Sequence, residues 1–213
     1  MADSSVDPAL VLAWLTARSI ARDLPLPVHD RGGFRVDTNS AEEVRRWLFP
    51  SMHEGLTAIG RDVSAPRHFL KLCGDNSDLR NALPSNWEIQ PKSYFMKAGV
   101  TSAPTPPLPD GYQLGRHQTG PVTRVRIIAP DASLAASGYA AEAADVFVYD
   151  RIETSPDHRR KGLGGAVMFA LAAARRSPAA PQLLVATEDG RKLYTTLGWT
   201  VLSPYATAAI LGA

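Results

Sequence analysis

Cysteine is nearly absent from the sequence: Cys73 is the single example among 213 residues, so no intrachain disulfide can form. An excess of one charge sign is also lacking, and the net charge of +2 gives no overall attraction to nucleic acid or to an anionic membrane. No run of about 18 uncharged apolar residues occurs, and the N-terminus has neither the basic nor the apolar segment of a signal peptide. These absences favour a cytoplasmic protein that binds neither nucleic acid nor membrane.

Metal-ligand spacing is absent as well. The five histidines are scattered singly, so no metal site is expected. Cys73 lies in an apolar run (residues 69–73) with no evident base beside it, which predicts a buried structural thiol rather than a nucleophile. What is present is an ordinary globular composition, with 45% hydrophobic and 21% charged residues, at a length that allows one large domain or two small ones.

A proline-rich segment divides the chain. Residues 101–111 hold four prolines and cannot form a helix or a central strand, so they are expected to separate a region of residues 1–100 from a domain of residues 101–213. In the first region, residues 40–43 have the shape of a capping box and predict a helix that continues through Leu48.

The second part of the chain alternates between strand and helix patterns. Residues 122–128 alternate with period two, and residues 145–154 are rich in β-branched and aromatic side chains, so both segments are predicted to be strands. Helical patterns follow at residues 162–176 and 189–197, with a short apolar strand at residues 183–186 between them. This order predicts an α/β (α+β) domain.

Glycine is concentrated at one helix start. Gly162, Gly164 and Gly165 open the helix that follows the basic run 159–161. Glycines leave the backbone N–H groups uncovered, and these donors together with the positive helix end attract phosphate oxygens. The spacing matches neither a Walker loop nor the dinucleotide fingerprint. The alternative is a capped helix preceded by a solvated basic loop.

Three segments, in order, resemble motifs of one family. The pattern R-x-x-G-x-G at residues 159–164 resembles the Q/R-x-x-G-x-G/A pyrophosphate motif of the GCN5-related N-acetyltransferases (GNAT). T-S-P at residues 154–156 resembles the V-x-P segment before that motif, and K-L-Y-T-T-L-G-W at residues 192–199 is similar to the family's helix end LYxxLGF. The resemblance covers about residues 110–213. It implies a mixed, mostly antiparallel sheet with flanking helices, with residues 1–100 as an α/β extension packed against it.

The resemblance also implies acetyl-CoA as co-substrate and an amine as acetyl acceptor. The family's cofactor contacts carry over to a strand end and the helix start that follows it. They are Ile152, Glu153, Thr154, Arg159, Arg160, Lys161, Gly162, Leu163, Gly164 and Gly165. The family usually has two helices between its first two strands, whereas residues 115–121 are too few to form them. Residues 1–100 are therefore expected to cover the acceptor side.

Transfer from a thioester to an amine needs a general base for the ammonium and a general acid for the departing thiolate. Tyr194 matches the tyrosine of LYxxLGF, which implies the acid; the alternative is a core aromatic residue with its hydroxyl tied off. Period two places Asp150, Ile152 and Thr154 on one face of their strand. In family members with a base on this strand, it usually shares the face of the residue matching Thr154, which favours Asp150 over Glu153.

Asp150 is expected to have a raised pKa because its strand is largely apolar. One alternative is a structural ion pair between Asp150 and Arg151 or Arg159. Another is a base formed by a water chain that ends at a different carboxylate. The carboxylates considered are Glu142, Asp145 and Glu188.

The leading function is N-acetylation of a small-molecule amine acceptor, including one that is amino-acid-like. A non-catalytic CoA-binding sensor and a protein N-acetyltransferase are the alternatives, and a homodimer is left open. An acceptor cleft closed by residues 1–100 would favour a small molecule, whereas a cleft open at both ends would favour a protein.

Overall fold

A computed structural model describes residues 6–99 and 107–212 of the protein. The helices are α1 (Pro8–Ala21), α2 (Glu54–Asp62), α3 (Asn76–Ala82), α4 (Leu163–Ala172) and α5 (Glu188–Thr196). The strands are β1 (Val28–Asp30), β2 (Gly33–Asp37), β3 (Arg45–Phe49), β4 (His68–Cys73), β5 (Glu88–Ile89), β6 (Ser93–Ala98), β7 (Gln113–Thr119), β8 (Val122–Ile128), β9 (Leu134–Ala143), β10 (Val146–Thr154), β11 (Gln182–Thr187) and β12 (Trp199–Ile210). Among these described helices, none has both the length and the apolar character needed to cross a bilayer.

The twelve strands form one sheet. Their order is β1-β2-β3-β4-β12-β6-β11-β10-β9-β8-β7, with β5 paired to β12 beside this path. The pairs β3–β4 and β10–β11 are parallel, and the other pairs in the described chain are antiparallel. The prediction of a mixed, mostly antiparallel sheet with flanking helices is therefore confirmed.

Strand β6 belongs to the N-terminal part of the chain but lies between two strands of the C-terminal part. Phe95 is opposite Val185 of β11 on one side and opposite Ser203 of β12 on the other. The two parts therefore share one backbone hydrogen-bond network. Residues 100–106 lie outside the described residues, so the proline-rich linker and a division of the chain at residue 100 stay predictions.

The two faces of the sheet pack against different helices. Side chains alternate along each strand, which places Phe147, Tyr149 and Met96 on the face covered by α4 and α5, named here the α4 face. Val148 and Phe95 lie on the opposite face, named the α1 face, where α1 packs. Strand β10 is apolar on both faces because both are covered by helices.

Helix α1 starts where the sequence predicts a helix start. The Asp7 side chain accepts a hydrogen bond from the Ala9 N–H at 2.9 Å, and Pro8 fills the first turn. Trp14 is 2% exposed, and its ring centroid lies 5.3 Å from that of Phe95. Helix α1 also contacts β9 and β10, so a helix from the N-terminal part covers strands of the C-terminal part.

The predicted helix over residues 40–48 is wrong, because β3 occupies the end of this segment. The Ser40 hydroxyl accepts a hydrogen bond from the Glu43 N–H at 3.0 Å, which closes a turn instead of capping a helix. Strand β3 lies inside the sheet between β2 and β4. Trp47 and Leu48 are 3% and 0% exposed on opposite faces, so burial on both sides of a central strand overrides the helical pattern.

Candidate active site

The loop between β10 and α4 ends in an uncapped helix N-terminus. Gly162 precedes the helix with φ 77°, and no side chain caps the helix. Arg160 also has a positive φ, 60°. Ala166 is the first helical residue whose N–H finds a backbone acceptor, the Gly162 carbonyl oxygen at 3.1 Å. The N–H groups of residues 163–165 therefore have no acceptor within the described residues, which leaves three donors at the positive helix end.

Exposed positive charge surrounds these donors. Arg159, Arg160 and Lys161 are exposed and form no ion pair with any residue that the structure describes. Arg159 Nε lies 3.5 Å from the Thr154 carbonyl oxygen, and Lys161 Nζ donates to the Tyr112 hydroxyl at 2.9 Å. The loop thus offers uncompensated cations beside free backbone donors, an arrangement that suits a phosphate or diphosphate group.

Tyr112 fastens this loop to the edge of the sheet, a role that the sequence pattern did not reveal. Its hydroxyl lies 2.9 Å from Nδ1 of His158, and Nε2 of His158 lies 3.1 Å from the Ser133 hydroxyl. Tyr112 and His158 are 46 positions apart. No local spacing links two residues at that separation, so only the fold brings them together.

The first turn of α4 packs closely against α5. A Cβ added at Gly164 would lie 3.1 Å from Cδ2 of Leu193 and 3.7 Å from Oγ1 of Thr154. Leu163 is 1% exposed, with its side chain in the core of the α4 face. Within residues 159–165, the residues predicted to bind the cofactor therefore divide into exposed cations and residues that offer only a backbone N–H.

Strands β10 and β11 pair at only two positions in the described structure. Phe147 lies opposite Gln182, and Val148 lies opposite Leu183. Beyond these pairs β10 continues along β9, and β11 continues along β6. The two parallel strands therefore separate toward their carboxyl ends, which is the end of the strands where α4 begins. This opening is named here the strand gap.

A β-bulge in β10 changes the direction of the side chains at the strand gap. Asp150 lies opposite Tyr139 and Glu153 lies opposite Ser137, so three steps along β10 match two steps along β9. Arg151 lies within the bulge and has φ 51°. Because Tyr139 and Ser137 share a face of β9, Asp150 and Glu153 also share a face, the α1 face.

The prediction that Asp150, Ile152 and Thr154 share one face is therefore wrong. Ile152 packs against the core of the α4 face, and Thr154 Oγ1 lies near α4 at the position a Gly164 Cβ would approach. Asp150 lies on the α1 face instead. Strict period two fails because the bulge adds one residue to β10.

Asp150 is a buried carboxylate surrounded by arginines. Arg22, the residue that directly follows α1, donates from Nε to Oδ2 at 2.6 Å and from Nη2 to Oδ1 at 2.9 Å. Arg151 Nε lies 3.1 Å from Oδ2, and Arg18 Nε lies 3.5 Å from Oδ1. Burial alone would raise the pKa of Asp150, but the Arg22 hydrogen bond and the charges of Arg18, Arg22 and Arg151 outweigh it and leave the pKa lowered.

The expectation of a raised pKa for Asp150 is therefore wrong. The alternative ion pair with Arg151 is present, whereas Arg159 contacts Thr154 instead. No sequence pattern pointed to Arg22, which lies 128 positions from Asp150 in a different part of the fold. A lowered pKa makes a carboxylate a weaker base. The role of Asp150 as general base stays a prediction.

The other carboxylates considered as bases lie at different ends of the sheet. Glu142 and Asp145 flank the β9–β10 turn, which is the end away from the strand gap. Glu188 follows β11 and lies at the gap end, where its carboxylate accepts a hydrogen bond from the Tyr94 hydroxyl at 2.5 Å. Hydrogen bonds from Arg191 and Tyr94 lower the pKa of Glu188 to about 2.

Tyr194 lies on α5, against the α4 face of the sheet. It is 7% exposed, and its ring centroid lies 6.0 Å from that of Trp199. Burial raises the pKa of Tyr194 to about 12, so the hydroxyl stays protonated near neutral pH. Within the described part of the chain, the Tyr194 hydroxyl has no hydrogen-bond partner, and it is not tied off as the core alternative supposed.

Comparison with known proteins identifies the fold of the chain through solved structures. No protein-family model matches the chain, and no curated protein matches it. A GCN5-related N-acetyltransferase from Kribbella flavida is similar in structure, with 13% identity, a TM-score of 0.65 and coverage of 96% of each chain. A GCN5-related N-acetyltransferase-like protein from Streptococcus suis has 12% identity and a TM-score of 0.63, covering 95% of this chain and 98% of its own.

A third similar structure is a GCN5-related N-acetyltransferase from Sphaerobacter thermophilus, with 13% identity, a TM-score of 0.57 and coverage of 98% of this chain and 95% of its own. At such identities the likeness shows the fold. The chain has the GNAT fold, and the likeness in structure extends over the N-terminal part as well as the part that carries the sequence motifs.

Proposed function

We propose that this chain, which has the fold of the GCN5-related N-acetyltransferases, transfers the acetyl group of acetyl-CoA to the amine of a small molecule. The observation that carries the proposal is the uncapped N-terminus of α4, where the free amides of residues 163–165 lie beside Arg159 and Arg160. A helix start of this kind binds phosphate groups. The helix start lies at the same end of the strands as the strand gap. Acetyl-CoA bound there through its diphosphate would extend its thioester arm toward that gap.

The residues at the helix start fit the diphosphate of acetyl-CoA. Backbone N–H groups and exposed guanidinium groups can all donate to phosphate oxygens, and their positive charge balances the anion. Gly162 adopts the positive φ that shapes the helix start, and Gly164 lets the first turn of α4 pack closely against Leu193 of α5. When bound, acetyl-CoA supplies an acetyl thioester that an uncharged amine can attack.

Tyr194 is proposed to donate a proton to the departing sulfur. Its hydroxyl is protonated near neutral pH because burial raises its pKa to about 12. Helix α5 follows β11 directly, so Tyr194 stands on the element that borders the strand gap. The lowered pKa of Asp150 favours a structural ion pair over a role as general base. A water held by another carboxylate is the competing candidate for the base.

The position of α1 favours a small acceptor. Helix α1 packs across β9 and β10 on the face opposite α4, next to Asp150 at the strand gap. A protein substrate would need an open cleft along this face, whereas a small amine needs only a recess. A non-catalytic CoA sensor would use the same helix start without transfer, so turnover separates the two functions.

Thermal unfolding with and without acetyl-CoA tests the cofactor site. Acetyl-CoA binds only the folded chain, so at 100 times its Kd it should stabilise the fold by about 2.7 kcal/mol and raise Tm. S-acetylpantetheine carries the same thioester but no diphosphate, and it should raise Tm far less. Equal shifts from both compounds would remove the basis for a diphosphate site at α4.

Release of free CoA thiol, measured with a panel of amines, tests transfer itself. The enzyme is expected to release CoA faster with at least one amine than without any. An acetyl-CoA-dependent rise in Tm with no CoA release from any amine would support the sensor instead.

A further inference from the structure

Beside Asp150, the α1 face carries a cation that lacks a carboxylate of its own. Arg18 of α1 approaches Asp150 to 3.5 Å, but both Asp150 oxygens already accept hydrogen bonds from Arg22 and one also accepts from Arg151. The Arg18 side chain is only 16% exposed. It donates no hydrogen bond to any residue in the described ranges, so its planar group of N–H donors is left without a matched acceptor.

Lys71 is a second cation of this kind. It lies on β4, and its Nζ is 3.4 Å from the Thr207 hydroxyl of β12, with no carboxylate within ion-pair distance among residues 6–99 and 107–212. Burial, followed by the charges of Arg46 and Arg18, lowers the pKa of Lys71 to about 7. The side chain is nevertheless partly accessible to solvent, and the partly buried surface that it forms with Arg18 is named here the recess.

The charges around this recess do not balance. The cations are Arg18, Arg22, Arg46, Lys71 and Arg151, and the carboxylates that face them are Asp150 and Glu43. Five cations against two carboxylates leave three uncompensated positive charges when Lys71 is protonated. Gathering like charges in a poorly solvated recess costs free energy, and an anionic ligand removes that cost.

Trp14 adds an independent sign of a missing ligand. Its indole Nε1 is buried and has no hydrogen-bond partner among the described residues. The Trp14 ring lies 5.5 Å from the guanidinium carbon of Arg18, and its centroid is 5.9 Å from that of Tyr205. A buried indole N–H normally finds an acceptor. The ring that carries this unused donor therefore packs directly against the unpaired Arg18.

We infer that this recess, bounded by Arg18, Lys71 and Trp14, binds the carboxylate of an amine acceptor, so that the substrate class is an amino acid. That the bound ligand is the acetyl acceptor rests on the proposed function. The recess lies on the α1 face, and Arg18 links it to Asp150 at the strand gap. An acceptor held there by its carboxylate presents its amine from the face opposite α4.

A binding measurement tests this site without requiring acetyl transfer. Thermal unfolding is followed in the presence of CoA with each proteinogenic amino acid and, separately, with its carboxamide at equal concentration. At least one amino acid should raise Tm, and its carboxamide should do so with a Kd about tenfold or more weaker, because the amide cannot neutralise the recess. Absence of a shift with every amino acid, or equal shifts from the carboxamides, overturns the inference.

Two variants and a matched control locate the binding. Arg18→Gln and Lys71→Met should each weaken the amino acid that binds by about tenfold or more. Arg116→Gln removes an arginine that is exposed on β7 and has no ion pair within the described residues, and it should leave the affinity unchanged. A folded Lys71→Met and a folded Arg18→Gln that both keep wild-type affinity would also overturn the inference. The comparison of acid with amide on the wild-type chain needs no variant to fold.

The two proposals fail in distinguishable ways. A chain that binds an amino acid in preference to its amide but releases no CoA keeps the carboxylate site and contradicts the transferase function. A chain that releases CoA equally well with amino acids and with their amides keeps the transferase function and contradicts the carboxylate site.

Discussion

Arg22 at the C-terminal cap of α1 and Asp150 on β10 form a two-point ion pair, with Nε–Oδ2 and Nη2–Oδ1 distances of 2.6 and 2.9 Å. The pair joins residues 128 positions apart and fixes the end of α1 to the bulged end of β10. It places the N-terminal part of the chain directly at the strand gap. The shape of the candidate acceptor site therefore depends on this contact.

Asp150→Asn should destabilise the fold by about 3 kcal/mol, because it leaves Arg22, Arg18 and Arg151 around a neutral amide. Since the folded-state pKa of Asp150 is lowered, its stabilisation is present above the unfolded pKa of about 3.9 and is lost as pH falls through the folded value. Urea unfolding across this pH range measures the effect. Asp145→Asn, at an exposed turn, should leave stability unchanged. An Asp150→Asn variant that keeps its stability but loses activity would support the general-base prediction and contradict the structural role.

The motif residues at the α4 start could be predicted because they are contiguous in the chain: residues 159–165 carry the cations, the glycines and the free amides within one loop and one turn. Arg151 could be predicted as a partner of Asp150 because it is the next residue, but Arg18 and Arg22 could not be, because they reach Asp150 only after α1 packs across β10. The bulge at Arg151 was also beyond a sequence argument. A bulge depends on how β9 pairs with β10, whereas a period-two pattern assumes regular pairing.

Tyr194→Phe should lower kcat by about 100- to 10,000-fold if Tyr194 protonates the sulfur. The hydroxyl has no partner among the described residues, so its removal should change the free energy of unfolding by no more than about 0.5 kcal/mol. Acetyl-CoA affinity should remain close to that of the wild type. Steady-state kinetics measures the change in kcat, and urea unfolding measures the change in the free energy of unfolding. An unchanged kcat with an accepted amine would reduce Tyr194 to a packing residue.

Gly162→Ala tests the helix start through backbone conformation. Gly162 has φ 77°, and alanine in the left-handed region costs about 1–2 kcal/mol, so the variant should be less stable and should bind acetyl-CoA more weakly. Gly115→Ala is the matched control, because a Cβ at Gly115 meets no heavy atom within 4 Å. Calorimetric titration with acetyl-CoA compares the two. Equal affinities in both variants would show that the conformation at Gly162 does not shape the cofactor site.

Lys71→Met should stabilise the folded chain at and below neutral pH. The folded pKa of about 7 lies below the ordinary 10.5, so the unfolded chain binds more protons between these values, and stability rises with pH across that interval. The partial solvent access of Lys71 reduces the effect, and we expect a gain of about 2 kcal/mol near pH 6 that disappears near pH 10.5. The groups facing Lys71 are Arg18 from α1, Arg22 at the cap of α1, Arg46 from β3 and Glu43 from the turn before β3. A difference that does not vary with pH would contradict a lowered pKa for Lys71.

A fragment of residues 105–213 should not fold on its own. It lacks β6, which separates β11 from β12, and it lacks β4, which pairs with the last half of β12. Strand β11 would then lose one neighbour and β12 both, and these three edges would present unpaired backbone groups to solvent. Circular dichroism and size-exclusion chromatography of the fragment provide the check. A monomeric, cooperatively unfolding and active fragment would contradict this expectation and support an independent domain after residue 100.

The type of most elements in the C-terminal part followed from periodicity, because β8 and β10 have alternating or β-branched sequences and α4 begins at glycines. The same reasoning failed at β3, where a turn from Ser40 to Glu43 imitates a capping box. Whether such a turn starts a helix depends on the neighbours β2 and β4, which are close only in the folded chain. The location of β6 between β11 and β12 could not be predicted for the same reason, since strand order is a property of the whole sheet.

The central position of β12 bears on how the protein is made. A ribosome releases β1 to β11 before β12, the strand that joins β4 to β6. Until residues 199–210 emerge, nascent β4 and β6 each keep an open edge, and the pairing that unites the sheet cannot form. Completion of the fold therefore has to follow translation of β12, and the newly made chain depends on whatever protects its strand edges from other chains during that interval.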